Sequence, residues 1–286
     1  MPGITKVDII GGLRELGVSA GMGLMVHSSM RSFGCVDGGP HEVIAALTEV
    51  LTVEGTLVLP SFNHGEAFGR DGPGYYDPTE TRTRNGLIPD TFWRMPGVSR
   101  SLNPTHPFAA WGKNARRYTE RHHRTLVMGP GSPLELLCRE GGYGLLIGVG
   151  YESNSLHHVA EICSGAPCLG RRTEAYPVLL PGGRRVLGRT WGWREGGCPF
   201  GPSKAYAPEM ERRGLHRRLR VGASTLTFFK LMDAFDLVSE MLANGWDGIP
   251  PCSRCPVRPR RTPNTVTSDW DDERGCPLPD SEAWSY

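Results

Sequence analysis

Residues 24–63, LMVHSSMRSFGCVDGGPHEVIAALTEVLTVEGTLVLPSFN, decide the fold class of this chain. The apolar run Leu24–His27 has the length and composition of a short buried strand, and Thr56–Phe62 is a second run of the same kind. Between them, Pro40 begins a helix, because proline is favoured in the first helical turn and apolar residues then recur at a helical spacing. The stretch therefore predicts strand, helix and strand in succession.

The same alternation of helix and strand continues on both sides. Upstream, Thr5 and Asp8 form a capping box, apolar residues follow at helical spacing, and Gly17 ends the helix. Downstream, the patterns predict a helix over 87–95, a short strand ending at Trp111, a helix over 132–140, a strand over 144–150, a hairpin over 176–190 and a helix over 223–242. This order is typical of the α/β class.

Two segments do not fit that alternation. Residues 63–85 are polar and rich in glycine, proline and aromatic residues, and we interpret them as a functional flap. From residue 251 to 286, proline, arginine and acidic residues dominate, which predicts an irregular tail. We therefore expect one catalytic domain over residues 1–250 and a tail over 251–286.

Composition excludes several functional classes. The 32 basic and 30 acidic residues leave a net charge of +2, so total charge gives no argument for nucleic acid or a membrane surface as a partner. No apolar run approaches the ~20 residues of a membrane span, and the N-terminus lacks the apolar region of a signal peptide. We expect a cytoplasmic protein.

The eight cysteines are expected to be reduced thiols, because the chain is long and carries no secretion signal. Cys252 and Cys255 have the spacing of half a zinc knuckle, and Cys276 follows. A complete zinc site usually has a second close pair, which is missing here, so we predict no bound metal.

The segment Tyr151–Glu161, YESNSLHHVAE, carries the chemistry. A helix that begins near Ser155 places Ser155, His158 and Glu161 three residues apart on one face. The positive end of the helix dipole favours a neutral imidazole, which is the form that a general base needs. Glu161 is positioned to bind the other ring nitrogen, and the Ser155 hydroxyl or the amides of the first turn to stabilise an oxyanion.

Two other interpretations of this segment stay open. An N-capped helix whose histidine points into a polar core would show the same spacing. A metal site would draw on His157, His158, Cys163 and Cys168, although these four do not form a closed ligand pattern. The position after a predicted strand favours a binding site, because open α/β sheets bind ligands at the carboxyl ends of their strands.

Four stretches in order resemble the aminoglycoside 3-N-acetyltransferase family, whose fold is the antibiotic N-acetyltransferase fold. They are residues 24–63, NGLIPDTFWRMPGVSRSLNPTHPFAAWG over 85–112, the GPGSPLELL turn over 129–137, and LLIGVGYESNSLHHVAE over 145–161. The resemblance spans roughly residues 5–245 of the sequence. It implies a three-layer sandwich with a mixed central sheet, helices on both faces and acetyl-CoA as acyl donor.

The resemblance also assigns roles to residues. The family motif N-T-S-L-H-L-A-E aligns with residues 154–161, so its catalytic histidine falls on His158, its paired glutamate on Glu161 and its hydroxyl residue on Ser155, in place of the usual threonine. His157 stands where the family usually has an apolar residue. The loops that line the coenzyme A cleft in the family correspond here to His27, Ser28, Ser29, Met30, Arg31, Arg100 and Ser101.

The acceptor is expected to be a small-molecule amine of the aminoglycoside class, and its acetylation to confer resistance. Such polycations need acidic walls, for which the candidates are Glu66, Asp77 and Glu195. Transfer to a different amine, thioester hydrolysis and a non-catalytic binding role for the basic stretch 212–220 are the alternatives. We expect a monomer or a homodimer with no nucleic-acid or membrane partner.

Overall fold

The computed structural model describes residues 3–164, 173–191 and 206–254. Its strands are β1 (Gly23–Ser28), β2 (Thr56–Pro60), β3 (Ser99–Arg100), β4 (Phe108–Gly112), β5 (Tyr143–Ile147), β6 (Thr173–Leu179), β7 (Arg185–Trp191), β8 (His216–Val221) and β9 (Ser224–Lys230). Its helices are α1 (Lys6–Leu16), α2 (Pro40–Leu51), α3 (Leu87–Phe92), α4 (Ala115–Thr119), α5 (Pro133–Arg139), α6 (Leu156–Cys163), α7 (Ala207–Arg212) and α8 (Leu231–Asn244).

Seven strands form one mixed sheet in the order β3-β4-β2-β1-β5-β9-β8. The central strand β1 is parallel to both β2 and β5, whereas the outer pairs are antiparallel. The carboxyl ends of β1, β2 and β5 therefore meet at one edge, where an open α/β sheet binds its ligand. Strands β6 and β7 form a separate hairpin, as predicted.

Helices cover both faces of the sheet, which confirms the three-layer α/β sandwich. Successive residues of a strand point to opposite faces, and on β1 Met25 joins one buried cluster while Leu24 and Val26 join the other. The Met25 cluster includes residues of α5, α6 and α8, and the second cluster includes residues of α1, α2 and α3.

The local signals near the N-terminus are confirmed. Helix α1 begins after the capping box of Thr5 and Asp8 and ends at Gly17, whose φ of 97° lies in the left-handed region. Pro40 occupies the first turn of α2. Strand β2 ends at Pro60, two residues before the predicted limit.

The helix predicted over 223–242 is wrong in its first part. Ser224–Lys230 form strand β9, which pairs with both β5 and β8, and α8 begins only at Leu231. The tight turn before β9 contains Gly222 with a φ of 58°, and β9 is rich in β-branched and aromatic residues that favour a strand. Its apolar spacing matched a helical period only by coincidence.

The basic stretch 212–220 includes the end of α7 and most of the edge strand β8, and several of its cations are paired within the chain. Arg212 and Arg213 both contact Glu209, and Arg218 contacts Glu211.

Among the described residues, no helix combines the length and apolar character that crossing a membrane requires. Cys255 and Cys276 lie outside the described residues, so the structure does not test the zinc half-site. The division of the chain at residue 250 stays a prediction.

Candidate active site

A cleft of about 370 Å³ opens where the parallel strands end. His27 and Ser28 contribute from the end of β1, Phe62 from the segment after β2, and Val149 from the segment after β5. The other lining residues are Pro60, His64, Arg84, Asn85, His106, Met128, Glu152, Ser153, Ser155 and His158. The predicted catalytic segment is thus part of the wall of a cleft at the expected edge of the sheet.

His158 and Glu161 form a hydrogen-bonded pair on helix α6. Their spacing of three residues places both on one face of the helix, and Nδ1 of His158 lies 2.7 Å from Oε2 of Glu161. The His158 side chain keeps 26% of its surface exposed, whereas that of Glu161 keeps 2%. Because an ionised carboxylate can only accept, the Nδ1 atom carries the proton of the neutral ring and Nε2 is the basic nitrogen.

His27 links the end of β1 to the start of α6. The backbone N–H of Ser155 donates to Nε2 of His27 across 3.4 Å. Burial lowers the pKa of His27 from 6.5 to about 4, because a buried imidazolium loses its hydration. The ring is therefore neutral at pH 7, and the Ser155 amide can use the lone pair of Nε2.

The first-turn amides of α6 are less available than the sequence suggested. The Ser155 amide binds His27, and the Leu156 amide donates to Oδ1 of Asn154 across 3.3 Å. The Ser155 side chain makes no capping hydrogen bond. The sequence predicted three oxyanion donors on Ser155 and Leu156: their two amides and the Ser155 hydroxyl. Both amides already donate hydrogen bonds, so the hydroxyl is the donor that stays available.

His157 takes the place usually held by an apolar residue and is buried. Its Nδ1 lies 2.6 Å from the carbonyl oxygen of Asn154, and its ring centroid lies 3.8 Å from that of His158. The possible ligand atoms of His157, His158 and Glu161 lie within 4.8 Å of one another. This set of two imidazoles and a carboxylate suits zinc in its chemistry.

Cys163, one of the two thiols proposed for alternative chemistry, packs against the apolar core. Burial raises the pKa of Cys163 to about 11, so this thiol stays protonated at pH 7 and is a poor nucleophile and a poor metal ligand. It does not belong to the cluster of His157, His158 and Glu161. Cys168, the other thiol of the predicted metal set, lies outside the described residues.

His64 and His106 supply a wall of the cleft that the sequence analysis did not identify. Their ring centroids lie 5.1 Å apart, and Phe62 contacts both rings. Burial lowers the pKa of His64, and burial together with neighbouring imidazoles, including that of His158, holds the pKa of His106 well below 6.5. The signal that could have indicated them is their position: His64 follows β2, and His106 comes just before β4, the antiparallel partner of β2.

The residues predicted to bind coenzyme A separate into two groups. His27 and Ser28 line the cleft, and the buried Oγ of Ser28 has no hydrogen-bond partner within the described residues. Ser29 donates its amide to the Ile147 carbonyl across 2.8 Å. Met30 packs against the core and Arg31 is exposed, both in the 3-10 turn that directly follows β1.

Arg100 and Ser101 are not brought to this cleft. The Arg100 guanidinium lies 4.2 Å from the centre of the Trp93 ring and donates to the carbonyls of Ser61, Pro78 and Thr81. Ser101 is fully buried between His122 and the Phe108 amide, at 2.7 and 2.8 Å. Arg100 thus fastens the flap to the sheet and lines a different cavity, of about 700 Å³.

Of the predicted acidic residues, Glu66 and Asp77 are described, and neither lines this cleft. Glu66 is exposed and pairs with Arg84, whose Nε lies 2.6 Å from its Oε2. Asp77 accepts hydrogen bonds from the amide and the hydroxyl of Thr79, so it stabilises a turn within the flap and does not line the cleft. Glu195 lies outside the described residues. Glu152, which the sequence analysis did not select, lines the cleft.

Comparison with known proteins gives a consistent result. The family model described as "Aminoglycoside 3-N-acetyltransferase" matches residues 25–243. Aminoglycoside N(3)-acetyltransferase VIII of Streptomyces fradiae is 33% identical over 80% of this chain and 88% of its own. The corresponding enzyme VII of Streptomyces paromomycinus is 33% identical over 82% and 89% of the two chains.

Solved structures give the same result at the level of the fold. AAC-IIIb in a binary complex with CoASH superposes with a TM-score of 0.73 at 25% identity, over 87% of this chain and 100% of its own. AAC-VIa bound to sisomicin superposes with a TM-score of 0.74 at 25% identity, over 86% and 100% of the two chains.

Proposed function

Because the chain belongs to the aminoglycoside 3-N-acetyltransferase family, as the sequence resemblance predicted, we propose that it transfers the acetyl group of acetyl-CoA to an amine of an aminoglycoside, with His158 as general base. It is an acetyl-transferring enzyme. The observation that carries the proposed mechanism is the His158–Glu161 pair in the wall of the cleft, three residues after Ser155. The acceptor class follows from the family and from relatives named for aminoglycosides.

The proposed reaction is direct transfer without a covalent enzyme intermediate. The acceptor ammonium first releases one proton to solvent. The nitrogen lone pair then attacks the thioester carbonyl carbon, and Nε2 of His158 takes the second proton that the nitrogen releases. Glu161 stabilises the imidazolium formed in this step through its hydrogen bond to Nδ1. The C–S bond then breaks, and the thiolate of coenzyme A takes a proton from the imidazolium.

Ser155 and Ser28 are the proposed polar contacts for the donor. The Ser155 hydroxyl is available to donate to the oxyanion, since the neighbouring amides are already used. The buried Oγ of Ser28 is available to bind the acetyl-CoA chain. The product is a neutral amide in place of a protonated amine, so the antibiotic loses one positive charge.

Replacing each of the two adjacent histidines tests the assignment. General base catalysis contributes about 10²- to 10⁴-fold, so His158→Ala is expected to lower kcat by that factor and to retain most of the affinity for coenzyme A. His157→Leu restores the apolar residue that is usual in the family and is expected to keep kcat within about threefold of the native value. Turnover of a panel of amines by the three proteins, followed by mass spectrometry, gives the result.

An unchanged kcat in His158→Ala would contradict the general-base role. A large loss in His157→Leu alone, with coenzyme A still bound, would move that role to His157. Hydrolysis of acetyl-CoA at the same rate with and without amine would favour a thioester hydrolase instead.

A further inference from the structure

Besides its histidines, the described part of the cleft has two charged side chains in its wall, Glu152 and Arg84. The Arg84 charge is neutralised by Glu66 at 2.6 Å. Among the described residues, no cationic side chain pairs with the carboxylate of Glu152, and its Oε1 accepts a hydrogen bond from the Gly150 amide at 2.8 Å. Within the described segments, one acidic charge in the cleft therefore has no cationic partner, on the side where α6 begins.

The position of Glu152 is fixed by the residues on either side. Tyr151 is buried, and its hydroxyl lies 2.9 Å from Nδ1 of His216, which anchors the 3-10 turn Tyr151–Ser153. Gly150 makes room for the carboxylate, because a Cβ atom at this position would overlap the Glu152 side-chain oxygens. The backbone at Gly150 is extended, so another residue could adopt this conformation, but its Cβ atom would displace the carboxylate from its present position.

We propose that Glu152 is a specificity-determining residue that binds a second ammonium group of a polyamine acceptor while the reacting nitrogen faces His158. Glu66 supports this selectivity indirectly, because it neutralises Arg84 and so prevents a positive charge in the wall from repelling the acceptor. The inference rests on the proposed function and adds to it the residue that distinguishes polyamines from monoamines. A charge–charge contact of this kind acts equally on the ground and transition states, so it lowers KM and leaves kcat unchanged.

The test compares Glu152→Gln with Glu15→Gln, a matched control on the exposed face of α1 outside the cleft. The acceptors are sisomicin, which carries several amines, and glucosamine, which carries one. For Glu152→Gln we expect the KM for sisomicin to rise about tenfold, as for the loss of one hydrogen bond to a charged group. We expect kcat, the KM for acetyl-CoA and the KM for glucosamine to stay within about twofold.

The dependence of the KM for sisomicin on ionic strength distinguishes a charge effect of Glu152 from a structural effect of its replacement. In the native enzyme, raising the ionic strength from 0.05 to 0.5 M is expected to raise the KM for sisomicin several-fold, because an exposed carboxylate is screened. This increase should be smaller in Glu152→Gln. Equal KM values for sisomicin in the native and variant enzymes, at both ionic strengths, would overturn the assignment while leaving the proposed function intact. Absence of both turnover and calorimetric binding of sisomicin by the native enzyme would overturn both.

Two further variants separate the position of the carboxylate from its charge. Gly150→Ala keeps Glu152 but displaces its carboxylate, and the KM for sisomicin is expected to rise about threefold. Glu66→Gln leaves the Arg84 charge without its partner and is expected to raise the KM for sisomicin about threefold. In the double variant Glu66→Gln/Arg84→Gln, this KM is expected to return to the native value. If Arg84→Gln instead raises the KM for acetyl-CoA, Arg84 binds the donor and the indirect role of Glu66 is overturned.

Discussion

Lowering the pH from 7 to 5 should destabilise the folded chain through its buried imidazoles. Burial lowers the pKa of His27 to about 4 and that of His122 to about 3, whereas an unfolded chain protonates histidine near 6.5. Between these values the unfolded state binds a proton that the folded state does not. Stability therefore falls as the pH drops below about 6.5, and the His27 contribution levels off below its folded pKa of about 4.

The size of the stability loss follows from the difference between pH 5 and the pKa of histidine in the unfolded chain. That difference is about 1.5 pH units, and at about 1.36 kcal/mol per unit each histidine costs roughly 2 kcal/mol at pH 5. His27 and His122 together cost roughly 4 kcal/mol, and His106 acts in the same direction. This is a large part of the 5–15 kcal/mol that typically stabilises a folded protein.

Urea unfolding followed by tryptophan fluorescence at pH 7 and pH 5, at fixed ionic strength, measures the loss. His122→Gln removes one of the titrating groups, so its loss between pH 7 and pH 5 should be smaller than that of the native chain by roughly 2 kcal/mol. The variant will be less stable at both pH values, because His122 bonds Ser101 and the Val127 carbonyl, so the comparison uses the pH difference. Identical pH differences in the two proteins would refute the reasoning.

Two further substitutions test Glu161, which binds His158, and Arg100, which binds three carbonyls. Glu161→Gln should lower kcat about 10- to 100-fold with the KM for acetyl-CoA unchanged, because an ionised partner is replaced by a neutral one; steady-state kinetics that show a change in KM alone would contradict a role in proton transfer. Arg100→Lys removes the planar fork that reaches three carbonyls, so the melting temperature should fall by about 3–8 °C without a change in the KM for acetyl-CoA. A raised KM for acetyl-CoA at an unchanged melting temperature would instead support the predicted contact of Arg100 with coenzyme A.

The first half of the fold was predictable because its signals are local. The capping box at Thr5, Pro40 in the first turn of α2 and the short apolar runs of β1 and β2 each depend on neighbouring residues alone. Strand β9 was not predictable in this way. Its apolar residues fit either period, and pairing with β5 and β8, which lie far apart in the sequence, decides the conformation.

The candidate site likewise has a part that local sequence predicts and a part that depends on contacts between distant segments. Ser155, His158 and Glu161 lie within seven residues, so a helical spacing is enough to place His158 beside Glu161. His64 and His106 come from separate segments and meet only because β2 and β4 pair. Arg100 shows another limit of the sequence: the resemblance predicts a contact with coenzyme A, and the structure adds hydrogen bonds to three carbonyls from distant segments, which the sequence does not show.

The histidines around the cleft fit the proposal that this imidazole-rich site binds a cationic acceptor. If His27, His64 and His106 were protonated, their positive charges would repel an ammonium group and would also destabilise the imidazolium that forms on His158. Burial lowers the pKa of all three, so at pH 7 the described part of the wall is largely uncharged apart from Glu152 and the neutralised Arg84. In the proposed reaction, the positive charge that His158 gains faces Glu161, and in the proposed complex the remaining ammonium groups of the acceptor face Glu152. The same burial that weakens the fold in acid therefore keeps the cleft suitable for polyamines at neutral pH.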